Sequence, residues 1–110
     1  MERDITEADW KVFKVLKELA LDRYCARVLA ELKTAINDQG HSNHERYLAV
    51  FRLLSERNDE LARAFDYHAR SKASLQLTYM RRLKLITDEE FSRFSPAYRE
   101  LIDRWLGFVN

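Results

Sequence analysis

Two histidines three residues apart, His41 and His44 in the stretch GHSNHE, are the pair in this chain whose spacing most resembles half of a metal site. Metal binding needs three or four donors converging on one point, and two His at i, i+3 supply at most two of them. If the helices on either side form an antiparallel hairpin, Cys25 lies some 13 residues down the first one, roughly 20 Å from the turn at 1.5 Å per residue. His68 stands about 24 residues along the second, roughly 36 Å away. Only Asp38 and Glu45 are local, and Glu45 is wanted by a helix cap. The stretch therefore reads as punctuation between helices, with a metal or small-ligand site at His41 and His44 as the alternative. Cys25 is the only cysteine. No base is placed beside it, so it reads as a small core hydrophobe rather than a nucleophile. HExxH, GxSxG and phosphate-cradling Gly-rich motifs are absent, as are the Glu-x-x-His pairs of helical di-iron sites. The expectation is a non-enzyme with no cofactor.

A second pattern has more physical content. Tyr47, Phe51, Leu54, Asn58, Leu61, Phe65, His68, Lys72, Leu75 and Tyr79 follow one another at alternating steps of four and three, the spacing of a heptad seam. A polar side chain at such a position, here Asn58, lowers stability but specifies register when it meets a polar partner. Lys72 on the same seam requires water, a carboxylate or a ligand, because burying it unpaired costs several kcal/mol, on the order of 3–5. Two outcomes fit: the seam pairs two copies of the chain, or it packs on the first helix within one chain. A polar pocket at Asn58, His68 and Lys72 is a further ligand-binding alternative.

The third candidate is the basic cluster Arg81, Arg82 and Lys84 in YMRRLKL. Cations in a last helical turn complement the macrodipole, which accounts for them structurally. The alternative is a nucleic-acid contact with Tyr79 interleaved. Nineteen Lys+Arg against eighteen Asp+Glu, a net charge of +1, provide no global field to recruit nucleic acid.

The elements that must position these residues are helices. Two Gly and one Pro in 110 residues, with 46% hydrophobic and 34% charged, suit long helices rather than strands or disorder. Thr6, Ser42 and Thr87 are each followed three residues later by an acid, Asp9, Glu45 and Glu90, the arrangement of a capping box. Ile5 with Trp10, and Ile86 with Phe91, stand at the positions of a hydrophobic staple. Ser95 before Pro96 marks one more start.

The first helix is expected from about Glu7 to Asp38, along the stripe Trp10, Phe13, Leu16, Ala20, Tyr24, Val28, Leu32, Ile36, with Gly40 as its left-handed stop. Leu19, Leu21, Cys25 and Leu29 widen the stripe beyond what one neighbour needs. The second runs from Asn43 to about Arg70, with RSKAS, Arg70 to Ser74, as the preferred break, and SLQLTYMRRLKL forms the third. A short helix from Asp88 and a last one from Pro96, with Tyr98, Leu101, Ile102, Trp105 and Val109 on one face, complete the chain.

The segment LKLITDEEFSRF resembles short helical hairpin modules at the C-termini of many bacterial proteins, through Leu85, Ile86, Thr87, Glu89, Glu90 and Phe91. Lys84 stands where those modules usually have Gly. The resemblance covers about a dozen residues and implies a bacterial source without implying a function. No apolar run approaches the ~18 residues of a membrane span, and MERDITEADW lacks the apolar core of a targeting segment. The sequence thus predicts residues 1–110 as one cytoplasmic, all-α domain. It is a bundle built on a long antiparallel hairpin with a shorter third helix and two short C-terminal ones. The expected role is protein interaction, with a second copy as the preferred partner.

Overall fold

In the computed structural model, which describes residues 5–109, the first helix, α1 (Glu7–Ile36), starts where Thr6 accepts a hydrogen bond from the Asp9 backbone N–H at 3.1 Å. Residues 1–4, on which the reading of the N-terminal segment bears, lie outside the described residues. Ile5 and Trp10 are both buried, closing the staple over the first turn. The Asp9 carboxylate does not complete the box. It accepts instead from the Ser95 N–H at 2.8 Å and the Ser95 hydroxyl at 2.6 Å, tying the start of α1 to the start of the last helix.

The remaining elements are α2 (Asn43–Phe65), α3 (Arg70–Arg82), α4 (Asp88–Phe91) and α5 (Pro96–Val109), and the described residues contain no strand. Ser42 and Glu45 form a complete reciprocal box at the start of α2, and Thr87 and Glu90 form another at α4. Ile86 and Phe91 are buried as their staple. The architecture is an all-α bundle in which the antiparallel hairpin of α1 and α2 is closed by α3 and α5. No helix among the described residues is long and apolar enough to cross a membrane.

Three boundaries differ from the sequence reading. α1 ends at Ile36 rather than Asp38, with Asn37 as its cap. Gly40 is not in the left-handed region; its N–H donates to the Asp38 side chain at 3.0 Å, so a side-chain turn rather than glycine's freedom shapes the connection. The break between α2 and α3 falls at Asp66 to Ala69, upstream of RSKAS, which instead forms the first turn of α3.

The physical reason for that shift lies in two places. Tyr67 adopts a φ of 65°, which ends α2. Ala73 and Ser74 read as a polar gap in the sequence, yet both are buried, because small side chains let α3 approach its neighbours closely. Ser74 and Tyr98 hydroxyls meet at 2.8 Å across the α3–α5 contact.

The end of α3 is a Schellman motif, with the Leu85 N–H donating to the Met80 carbonyl at 2.9 Å and the Lys84 N–H to the Arg81 carbonyl at 3.0 Å. Lys84, at φ 58°, occupies the left-handed position normally given to Gly. Arginines of α1 satisfy the carbonyls beyond it: Arg27 reaches those of Leu83 and Lys84, and Arg23 reaches that of Leu85. Arg23 also grips Glu90 with two bonds, at 2.7 and 2.8 Å. That grip, with the Thr87 N–H, holds the Glu90 carboxyl down to about 2.

The core sits at one end of the hairpin. Phe13, Leu16, Ala20, Leu77, Met80, Leu85, Phe94 and Ile102 are buried there, whereas the buried positions of α1 stop at Val28 and those of α2 begin only at Ala64. Beyond that point the hairpin projects as a two-helix arm, and the molecule is 52 Å long against 25 and 24 Å in the other directions. In α5, Tyr98 and Ile102 are buried and Leu101 and Trp105 half-buried; the Val109 side chain lies outside the described ones.

Candidate interaction groove

The arm is held in register by polar pairs near its root. The Tyr24 hydroxyl bonds the Glu60 carboxylate at 2.7 Å and the Arg57 carbonyl at 2.9 Å. Arg57 makes two parallel bonds, both 2.9 Å, to Glu31 across the hairpin. The guanidinium holds the Glu31 carboxyl below the usual carboxylate range. Burial, followed by the Glu60 carboxylate, pushes the Tyr24 hydroxyl well above its ordinary value. At the far end Arg46 donates to the last carbonyl of α1, at Ile36, at 2.9 Å.

Between these pairs one side of the hairpin is open and apolar. Its α1 wall follows the spacing of Leu21, Cys25, Leu29, Leu32 and Ile36, and its α2 wall that of Tyr47, Leu54, Asn58 and Leu61; Cys25, Leu29, Leu32, Leu54, Asn58 and Leu61 line one hollow, and Ile36 and Tyr47 line a second. Each set advances by three or four residues, so each lies along one helix face. Exposure is 66% at Leu29, 54% at Ile36, 69% at Tyr47, 62% at Phe51 and 42% at Leu54. Of the ten large hydrophobic residues that the described structure leaves exposed, eight lie on α1 and α2. A two-helix arm has no third layer to cover that face, which is the physical reason it stays open.

The heptad seam predicted from sequence supplies the α2 wall. It is interrupted at Asp66 to Ala69, so it does not run on as one rod. Phe51, Leu54 and Asn58 face outward, Leu61 is half-buried, and Phe65 is buried against Tyr24, with ring centroids 6.0 Å apart. His68 lies past the break, its ring 5.2 Å from that of Trp10, and Lys72 is exposed on α3. Asn58 and His68 line different hollows, so these three residues do not make one polar pocket. Cys25 is half-buried in the groove wall rather than in the core.

At the arm's tip His41 Nδ1 pairs with Asp38 Oδ2 at 2.9 Å and His44 is exposed. Among the described residues no group of three His, Cys, Asp or Glu is placed to hold a metal ion. In the basic cluster, Arg81 donates to the Ile86 carbonyl at 3.0 Å and to Asp88 at 3.1 Å, and its guanidinium lies 4.3 Å from the Phe91 ring centre. Arg82 stands over Tyr79, and Lys84 holds the helix-ending backbone position.

One feature escapes sequence reading. Lys17 is buried, donating to the Tyr67 carbonyl at 3.2 Å and to Gln76 at 3.1 Å. Burial pushes its ammonium below its ordinary range, partly countered by Asp66. Nothing local marks it, because its partners are more than forty residues away in the chain. The α1 wall of the groove was signalled by the surplus apolar width at Leu21, Cys25 and Leu29, although the sequence did not say which side would stay uncovered. No family model, curated protein or solved structure matches the chain significantly.

Proposed function

We propose that this chain is a small non-enzymatic interaction protein that self-associates through the open face of its helical arm. One observation carries the reading: an apolar face, formed by both helices and centred on Leu29 and Leu54, lies where the fold provides no third layer. The face extends for about 25 Å along two helices of about 10 Å width. That is roughly 500 Å² in projection on each copy, so two copies together reach the ~1,000 Å² that a specific interface requires.

A second copy suits this face because it offers the same largely apolar stripe, whereas the two cations that line it, Arg46 and Arg57, are taken up by the Ile36 carbonyl and by Glu31. The Arg81, Arg82 and Lys84 alternative draws less support, since Arg81 is engaged by Ile86, Asp88 and Phe91. The single cysteine supports a reducing, cytoplasmic setting. The likeness of Leu85 to Phe91 to bacterial C-terminal modules supports a bacterial source.

The test is the solution mass by sedimentation from about 1 to 100 µM, a range that brackets ordinary dimer affinities. We expect a dimer at the upper end, converted to monomer with unchanged helix content by Phe51→Glu or Leu54→Glu. A chain that stays monomeric throughout, or a dimer indifferent to both substitutions, overturns the proposal.

A further inference from the structure

Self-association alone does not say how two arms lie against each other, and the charges left over on α1 do. Between Asp22 and Lys33, α1 carries five charged residues: Asp22, Arg23, Arg27, Glu31 and Lys33. Arg23 and Arg27 hold the end of α3 together with Glu90, and Glu31 is paired with Arg57. Asp22 and Lys33 remain, both exposed and neither in an ion pair among the described residues. They are eleven residues apart in the sequence. Eleven residues is close to three turns at 3.6 per turn, so both project from one side of the helix, beside Leu29.

The cross-hairpin bonds set the heights. Tyr24 is bonded to Glu60 and Ile36 to Arg46, and the helices run in opposite directions, so Val28 stands at about the height of Glu56. Val28 is also, to within a residue, the midpoint between Asp22 and Lys33 and the midpoint of the α1 wall from Leu21 to Ile36. A single two-fold axis crossing the arm at that height therefore maps the α1 stripe onto itself. It sets Phe51 opposite Leu61 and Leu54 opposite Asn58 of the second copy, and it brings each Asp22 to the other copy's Lys33. Packing in the same direction would keep Asp22 of one copy eleven residues, about 16 Å along the arm, from Lys33 of the other.

Resting on the self-association proposed above, we infer that two arms pack side by side in opposite directions as a four-helix bundle, with Asp22 of each copy against Lys33 of the other. An isologous contact requires self-complementarity of this kind: whatever one side offers, the other must answer. The polar Asn58 then sits in the layers flanking the axis, near its own copy. Opposite charges at the border fix direction more than they add affinity.

Charge reversal tests the direction. At low ionic strength Asp22→Lys and Lys33→Asp, each made alone, weaken the dimer about tenfold by placing like charges together twice. The two changes in one chain restore affinity to within about threefold of the parent, and a mixture of the two single variants forms a heterodimer. A double variant no tighter than the singles overturns the inference. Both residues are exposed and outside any ion pair among the described residues, so folding should survive, which circular dichroism checks.

A cysteine version gives a second readout that does not depend on affinity. In a Cys25→Ser background, Asp22→Cys with Lys33→Cys yields a covalent dimer on oxidation. Neither substitution alone does so, and an Asp22→Cys single variant that links to itself refutes the antiparallel direction. Monomeric parent protein at all concentrations overturns self-association itself. A parent dimer that ignores the charge swap overturns only the direction.

Discussion

Lys84 holds a backbone conformation, φ 58°, that L side chains adopt at a cost, and it does so with its N–H and carbonyl both in use. Replacing it by Gly keeps those backbone bonds and removes the clash of the Cβ. Lys84→Gly is therefore expected to raise stability by about 0.5–1 kcal/mol, read as a higher urea midpoint with an unchanged slope. Glu90 gives a prediction in pH. Its carboxyl is held at about 2 in the folded protein against 4.5 as its ordinary value, so the folded state favours the charged form. The stability this contributes is complete above about pH 5 and is lost as pH falls from there towards 2. With Arg23 partly in water, the contribution is about 2 kcal/mol, and Glu90→Gln should remove it at neutral pH and flatten the acid limb of the stability profile. An acid limb identical to the parent's would show that the Arg23 grip contributes nothing. Asp9 is the third case. Since its carboxylate orders both the Ser95 N–H and hydroxyl, Asp9→Ala should cost about 1–2 kcal/mol, seen as a lower melting temperature.

At the scale of elements, α3 depends on close approach. Ala73 has no exposed surface, so Ala73→Leu should force helices apart and cost about 1–3 kcal/mol, measurable by denaturant unfolding. The helix starts were legible because their chemistry is local: Thr6, Ser42 and Thr87 each stand within three residues of the group they bond. Ends and breaks were less so. α2 stops because Tyr67 turns left-handed while its carbonyl is taken by Lys17 and Gln76, and those partners come from other helices. The small residues Ala73 and Ser74 looked like a gap by polarity and are a packing contact by size. The α2 side of the groove was visible as the spacing of Tyr47, Phe51, Leu54 and Asn58. Which side of that stripe would remain uncovered depends on α3 and α5, and their placement rests on tertiary bonds such as Asp9 to Ser95 that no short window contains.

For the whole molecule, self-association through the arm links stability to concentration. A dimer that unfolds to monomers melts at higher temperature as protein is added, so the melting midpoint should rise between about 2 and 200 µM and lose that dependence in Phe51→Glu. A midpoint flat across the range would mean that the arms do not support each other. The unequal covering of α1 has a consequence that reaches beyond assembly. It is one uninterrupted helix, yet its first two-thirds lie under the core while the remainder rests on α2 alone. Amide hydrogens from Phe13 to Val28 should exchange with solvent only when the whole molecule opens, and those from Leu32 to Ile36 by fraying of the tip. One rod would thus carry a slope of protection along its length, and docking of a second arm would level it.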